Sequence, residues 1–150
     1  IVICFQSLVL DMAGNVGTQS LGVTIRVLVD ENLTGTKKLR LLFKEMRVGL
    51  INGALLAVLT LVSLGIYIHF FKGYDWGQAF LLSGCVGISL IVAMIISSLV
   101  GTVIPMFFHK IHIDPAVASG PLITTVNDLV AVVTYYGLAM ISLIDVFHLA

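Results

Sequence analysis

Long apolar stretches separated by short polar intervals constrain this chain more than any other feature. Stretches at about residues 48–71 and 78–108 are predominantly apolar, and each exceeds the ~20 residues that a helix needs to cross a bilayer. Stretches at about 1–29 and 116–148 are equally long but carry polar side chains at their centres. Mean hydropathy is +1.11, and 11% of the residues are charged, against about 25% in an ordinary soluble domain. The sequence therefore predicts an all-α polytopic membrane helix bundle, with residues 1–150 forming one transmembrane domain of four spans.

The interval at residues 30–47 contains many of the charged residues. Its basic residues are Lys37, Lys38, Arg40, Lys44 and Arg47, and its acidic residues are Asp30, Glu31 and Glu45. Helical spacing relates the apolar residues Leu39, Leu42, Phe43 and Met46. This pattern predicts a short amphipathic helix at about 36–47, lying on the membrane surface. Because an excess of basic residues is typical of cytoplasmic loops, we expect both ends of the chain to lie on the outer side.

Polar residues in the first span lie on one face of the predicted helix. Asp11, Asn15, Thr18 and Gln19 fall at i, i+4, i+7 and i+8. Gly14 precedes Asn15, and its missing side chain either exposes backbone carbonyl groups to a lumen or lets another helix approach closely. The Asp and Asn side chains near that glycine favour the lining of a pore.

Asp128 lies inside the last apolar stretch, beside Thr124, Thr125 and Asn127. A carboxylate at the bilayer centre costs about 2.5 kcal/mol or more, so it needs a pore, a bound cation or a polar partner. A cation site is favoured over a structural hydrogen bond because these neighbours supply more oxygen atoms than packing requires. Asp128 and Asn15 each lie roughly 14 residues from the predicted cytoplasmic end of their span, about 20 Å deep at 1.5 Å per residue. They are therefore expected to share one site.

Three further carboxylates lie outside the predicted site of Asp128 and Asn15. Asp11, one turn before Asn15, is a candidate for the outer mouth of a pore, or else a partner for a basic residue on another segment. Asp114 precedes Pro115 in a predicted cytoplasmic turn and is a second candidate for a pore mouth. Asp145, near the outer end of the last span, is expected to be solvated. The formal net charge is zero, so no basic surface predicts nucleic-acid binding.

Two stretches together resemble the membrane domain of the MgtE family of magnesium channels. The first is Asp-Met-Ala-Gly-Asn-Val-Gly-Thr-Gln at residues 11–19, and the family motif is similar to Gly-Gly-Asn-x-Gly-x-Gln. The second is Asp-Pro-Ala-Val-Ala-Ser-Gly-Pro at residues 114–121, followed by the Thr-Thr pair and Asp128. The resemblance follows the whole chain in order. Ala13 stands where the family usually has its first glycine.

The resemblance implies five spans per subunit, with one span before Ile1, and a homodimer whose pore lies between the first and last helices of each copy. It further implies a cytosolic N-terminal domain, a CBS regulatory module that senses magnesium, and a location in the bacterial inner membrane. The chain starts without an initiator Met, so we expect it to be a fragment.

The resemblance also implies that Mg²⁺ is the transported and pore-bound ion, that Asp128 holds it, and that Asn15 lies close to it. Mg²⁺ releases its water reluctantly, so we expect recognition of the hydrated ion. Oxygen atoms of Asn15, Asn127 and Thr124, with the carbonyl groups around Ala13 and Gly14, are expected to accept hydrogen bonds from its waters.

Two other functions stay open. A secondary cation transporter would use Asp128 as a proton or sodium site. An intramembrane aspartyl protease would use Asp11 and Asp128 as a catalytic pair, but their predicted depths differ by about one turn. The sequence shows no nucleophilic triad or phosphate-binding loop, and we expect the protein not to be an enzyme.

Overall fold

The structure, a computed structural model, describes residues 2–29, 34–118 and 120–147. Its α-helices are α1 (Val2–Leu28), α2 (Gly35–Lys72), α3 (Trp76–Lys110) and α4 (Gly120–Phe147). A short 3-10 helix, Pro115–Val117, lies between α3 and α4. The described part of the chain contains no strand. The predicted all-α helix bundle is therefore confirmed.

Helix α2 is one continuous helix of 38 residues. It joins the segment predicted as a separate surface helix, 36–47, to the span predicted at 48–71. No proline or other strong helix breaker lies between them, so the backbone continues without interruption. At 1.5 Å per residue α2 is about 57 Å long, roughly twice the hydrocarbon thickness of a bilayer, so its first turns extend beyond the apolar layer.

Two residues of the predicted apolar stripe at the start of α2 point away from the bundle. Leu39 is 54% exposed and Phe43 is 57% exposed. Contact of this stripe with the membrane surface stays a prediction. Leu41 and the acidic Glu45 are buried instead. They lie at i and i+4 on the face that turns towards the bundle.

Two prolines lie near the connection between α3 and α4. Helix α3 continues through Pro105 as far as Lys110. Pro115 begins the short 3-10 helix rather than the last α-helix, and the Asp114 carboxylate caps it by accepting a hydrogen bond from the Ala116 N–H, at 2.9 Å. The last helix begins at Gly120, where Pro121 occupies its first turn without the loss of an internal hydrogen bond.

Helix α3 is the centre of the bundle and packs against α1, α2 and α4. Glycines allow the close approaches. A Cβ atom at Gly53 of α2 would lie 2.8 Å from the Ile91 Cα of α3, and a Cβ atom at Gly101 of α3 would overlap the backbone carbonyl of Gly17 in α1. These contacts join backbone to backbone, so the positions of α1 and α2 on α3 are tightly specified.

Three helical segments among the described residues are long and apolar enough to cross a membrane: Gly35–Lys72, Trp76–Lys110 and Gly120–Ile141. Helix α1 is 27 residues long but carries the polar stripe, and its membrane crossing stays a prediction. Large apolar side chains such as Leu55, Val58 and Leu59 are exposed along α2. A surface of this kind faces lipid rather than water, and the chain is a multi-pass membrane protein.

Candidate functional site: a groove between the first and last helices

A groove of about 350 Å³ lies between α1 and α4. Its lining residues are Ser7, Leu10, Asp11, Gly14, Asn15, Thr18, Thr124 and Asp128. The α1 members fall at i, i+3, i+4, i+7, i+8 and i+11 and so share a helix face, as do Thr124 and Asp128 at i and i+4 on α4. The structure thus brings together five of the predicted site residues, Asp11, Gly14, Asn15, Thr124 and Asp128, from opposite ends of the chain.

The groove presents two carboxylates, although the sequence placed Asp11 at a separate mouth. Asp11 is exposed and Asp128 is half-buried. Within the described part of the chain, neither carboxylate has a hydrogen-bond or ion-pair partner. Two unpaired negative groups in one small groove repel each other, and a nearby cation relieves that repulsion.

Thr18 forms hydrogen bonds with the backbone in the uncharged part of the groove. Its hydroxyl group lies 3.0 Å from both the Gly14 and the Asn15 carbonyl oxygens, to which it donates. Each carbonyl group also accepts the backbone N–H four residues further along α1, so the Thr18 hydroxyl shares their remaining acceptor capacity. The Asn15 side chain itself is exposed on this face. The groove therefore offers several oxygen acceptors around its two carboxylates.

Ala13 does not reach the groove. Its side chain is buried, and its carbonyl group accepts a hydrogen bond from the Ser97 hydroxyl of α3. This bond fastens α1 to the central helix directly behind the groove. The role predicted for the Ala13 carbonyl, contact with the waters of an ion, therefore has no support from its position.

Asn127 lies on a different face of α4 from Asp128. It is 0% exposed and packs where Gly17 of α1 leaves room. Ile123 and Ala131, four residues before and after it, are equally buried. Neither polar atom of the Asn127 amide has a hydrogen-bond partner among the described residues. The structure therefore places Asn127 inside the helix junction, outside the groove lining.

Asp114 is exposed and lies before the start of α4. Its carboxylate caps the 3-10 helix and does not line the groove. Its role at a pore mouth stays a prediction. The side chain of Asp145 lies outside the described residues. No group of three or more His, Cys, Asp or Glu side chains that would enclose a dehydrated metal ion occurs among the residues that were described.

Sequence reasoning missed Ser7 in the groove lining and the burial of Glu45 elsewhere in the bundle. Ser7 continues the α1 stripe one turn before Asp11, so the same helical spacing would have identified it. Glu45 is only 3% exposed, and its Oε2 accepts a hydrogen bond of 2.9 Å from the Ser20 hydroxyl on α1. No local signal separates this glutamate from the solvated charges around it in sequence.

Comparisons with known proteins match nearly the whole chain. The family model MgtE, described as a divalent cation transporter, matches residues 6–138. A magnesium transporter MgtE of Bacillus subtilis is 41% identical over 135 residues, which are 90% of this chain and 28% of that protein. Proteins of the same name from Enterococcus faecalis and Thermus thermophilus are 35% and 32% identical over 139 residues, 93% of this chain and 29% of each relative. The chain thus spans less than a third of the length of these relatives.

Proposed function

Because the chain belongs to the MgtE family of divalent cation transporters, we propose that it forms the ion-conducting part of a magnesium channel. The observation that carries this proposal is the groove between α1 and α4, where two carboxylates without partners among the described residues lie beside Asn15, Thr18 and Thr124. We infer that the ion is magnesium because the relatives are named magnesium transporters.

Hydrated Mg²⁺ is the ion that suits this groove. Mg²⁺ prefers six oxygen ligands and keeps several of its waters. With ~30 Å³ for each of six waters, the hydrated ion occupies about 200 Å³. The groove of about 350 Å³ has room for an ion that keeps its waters. Asp128 attracts the ion by charge, and the Asn15, Thr124 and Gly14 oxygens accept hydrogen bonds from its water.

We further propose that the groove becomes a pore between two copies of the chain. One chain lines only one side, and exposed apolar residues such as Leu129 and Val133 border Asp128 on α4. A two-fold axis along the groove would set a second Asp128 opposite the first. One divalent cation between them would relieve their repulsion, and contacts through water would let it leave again.

A secondary transporter coupled to protons or sodium is the alternative. A half-buried carboxylate in an apolar bundle, such as Asp128, is also what a proton or sodium site requires. Uptake that depends on a proton or sodium gradient would favour this alternative, and uptake driven by the magnesium gradient and voltage alone would favour a channel. We propose no enzymatic reaction, since the family is a transporter family.

The test is magnesium uptake by vesicles that contain the purified protein. Asp128→Ala is expected to abolish uptake, and Asp128→Asn to lower it nearly as much because it keeps the size but loses the charge. Asp75→Asn is the matched control: Asp75 caps the exposed start of α3 by accepting from the Gly77 N–H, and Asn is an equally good cap.

All three variants must insert and elute like the wild type for the comparison to count. Normal uptake by a well-folded Asp128→Ala variant would remove Asp128 from the conduction path.

A further inference from the structure

Three basic side chains form a stripe on the outward face of α2. Arg40, Lys44 and Arg47 lie at i, i+4 and i+7 and are all exposed. With Phe43, Val48 and Ile51 they line a depression of about 350 Å³. None of the three makes an ion pair with any residue in the described ranges. We call Arg40, Lys44 and Arg47 the cationic stripe.

The acidic residue of α2 is turned away from the cationic stripe. Glu45 is the one acidic residue in the helix, and it is buried on the opposite side with its hydrogen bond to Ser20 of α1. The glutamate therefore neither pairs with nor screens the three cations. Gly49 holds the next turn tightly against Met94 and Ser98 of α3, so the cationic stripe sits on a fixed support.

An exposed apolar surface continues from the cationic stripe along α2. Ile51, Leu55, Val58 and Val62 are all exposed and follow at four- and three-residue intervals, so they share one helix face. From Ile51 to Val62 this surface is about 16 Å long. That length equals about half of the ~30 Å hydrocarbon core, the depth of one leaflet.

We propose that this face of α2 is a binding site for an anionic phospholipid. The phosphate group of the lipid accepts hydrogen bonds from the guanidinium groups of Arg40 and Arg47 and from the Lys44 ammonium group. One acyl chain lies along Ile51, Leu55 and Val58. A soluble phosphate would leave the apolar part unused, and a zwitterionic lipid would bring a positive group close to three cations. Basic clusters beside a membrane span recognise anionic head groups for this reason.

This inference is independent of magnesium conduction, since it concerns the back of α2 and not the groove. The full chain, purified in a neutral detergent, is titrated with dioleoylphosphatidylglycerol or with dioleoylphosphatidylcholine, and bound lipid is measured by native mass spectrometry. Glycerol 3-phosphate serves as the soluble competitor. We expect a clear preference for phosphatidylglycerol that the soluble phosphate does not displace.

The decisive variant is Arg40→Gln/Lys44→Gln, and its matched control is Lys38→Gln/Lys110→Gln. The control removes the same charge from the same end of the bundle, where Lys38 and Lys110 line a separate apolar depression. Each cation near a membrane surface strengthens anionic-lipid binding about fivefold, so the stripe variant should lose about 25-fold of its affinity for phosphatidylglycerol. The control should keep most of it.

Arg40, Lys44 and Lys110 are exposed and Lys38 is half-buried. The variants are therefore expected to fold, and an unchanged melting temperature checks this. The charge reversal Lys44→Glu should abolish the preference on its own. Equal losses in both double variants would overturn the proposal, because they would indicate diffuse attraction to surface charge. Displacement by glycerol 3-phosphate, or equal binding of both lipids by the wild type, would overturn it as well.

Discussion

The contact between Gly101 of α3 and Gly17 of α1 should be the least tolerant of an added methyl group. In Gly101→Ala the new Cβ atom overlaps the carbonyl group of Gly17. Both partners are helix backbone, so neither can rotate away as a flexible side chain would. Overpacking typically costs 1–3 kcal/mol, whereas replacing a helix glycine by alanine gains about 1 kcal/mol. Because neither backbone can move aside, we take the upper end of the overpacking range, about 3 kcal/mol, and expect a net destabilisation of about 2 kcal/mol.

Gly84→Ala is the matched control because it makes the same substitution in the same helix. Its Cβ atom would meet only the Leu61 Cδ1, at 3.8 Å, which is an ordinary contact. This variant keeps the gain in helix propensity, so its free energy of unfolding should rise by about 0.5–1 kcal/mol. Unfolding of both variants in mixed micelles with increasing sodium dodecyl sulfate measures the difference, which should be about 3 kcal/mol between the two variants.

The same substitution should impair transport. Relief of the overlap at Gly101 requires α1 to move away from α3. Because Asp11 and Asn15 lie on α1, this movement changes their distances to Asp128 across the groove. Magnesium uptake by Gly101→Ala should therefore fall even in the fraction that remains folded, while Gly84→Ala transports normally. If Gly101→Ala were as stable as the wild type and equally active, the close packing of α1 on α3 would be refuted.

Two further pairs of variants separate the groove from the helix junctions. Asn15→Ala should weaken discrimination between magnesium and calcium in uptake assays, because it removes an acceptor from the groove lining. Asn127→Ala should leave this discrimination unchanged. Weaker discrimination in Asn127→Ala but not in Asn15→Ala would instead place Asn127 in the ion path. Ser20→Ala should destabilise the fold by about 1–3 kcal/mol, because it leaves the buried Glu45 carboxylate without its donor. Ser63→Ala, the control, removes an exposed hydroxyl from α2 and should cost less than about 0.5 kcal/mol in the same unfolding assay. Equal destabilisation by the two serine variants would contradict the buried hydrogen bond between Ser20 and Glu45.

Much of the architecture was predictable because it depends on local patterns. Apolar length identified three of the four predicted spans, and the family resemblance of residues 11–19 and 114–121 is confirmed by the match over residues 6–138. Helical spacing also assigned Asp11 and Asn15 to one face of α1. The common depth of Asn15 and Asp128 followed from the rise per residue alone, and the structure does bring them into one groove. Their contact with magnesium stays a prediction.

Other features could not be read from local patterns because they depend on which neighbour each helix face meets. Asn127 and Asp128 are adjacent in sequence but point about 100° apart around α4, and only the packing of α1 and α3 decides that the former is enclosed and the latter lines the groove. Glu45 is likewise one of many charged residues in its segment, and only its hydrogen bond with Ser20 of α1 distinguishes it from them.

The sequence by itself thus determined that the chain forms apolar helices, which of their faces are polar, and to which family it belongs, because hydrophobicity and a 3.6-residue period are properties of each segment. Tertiary structure alone decided that α2 turns its glutamate inward, and that Asp11 shares the groove of Asp128. These outcomes arise from contacts between residues far apart in sequence, whose burial is fixed only when the helices pack.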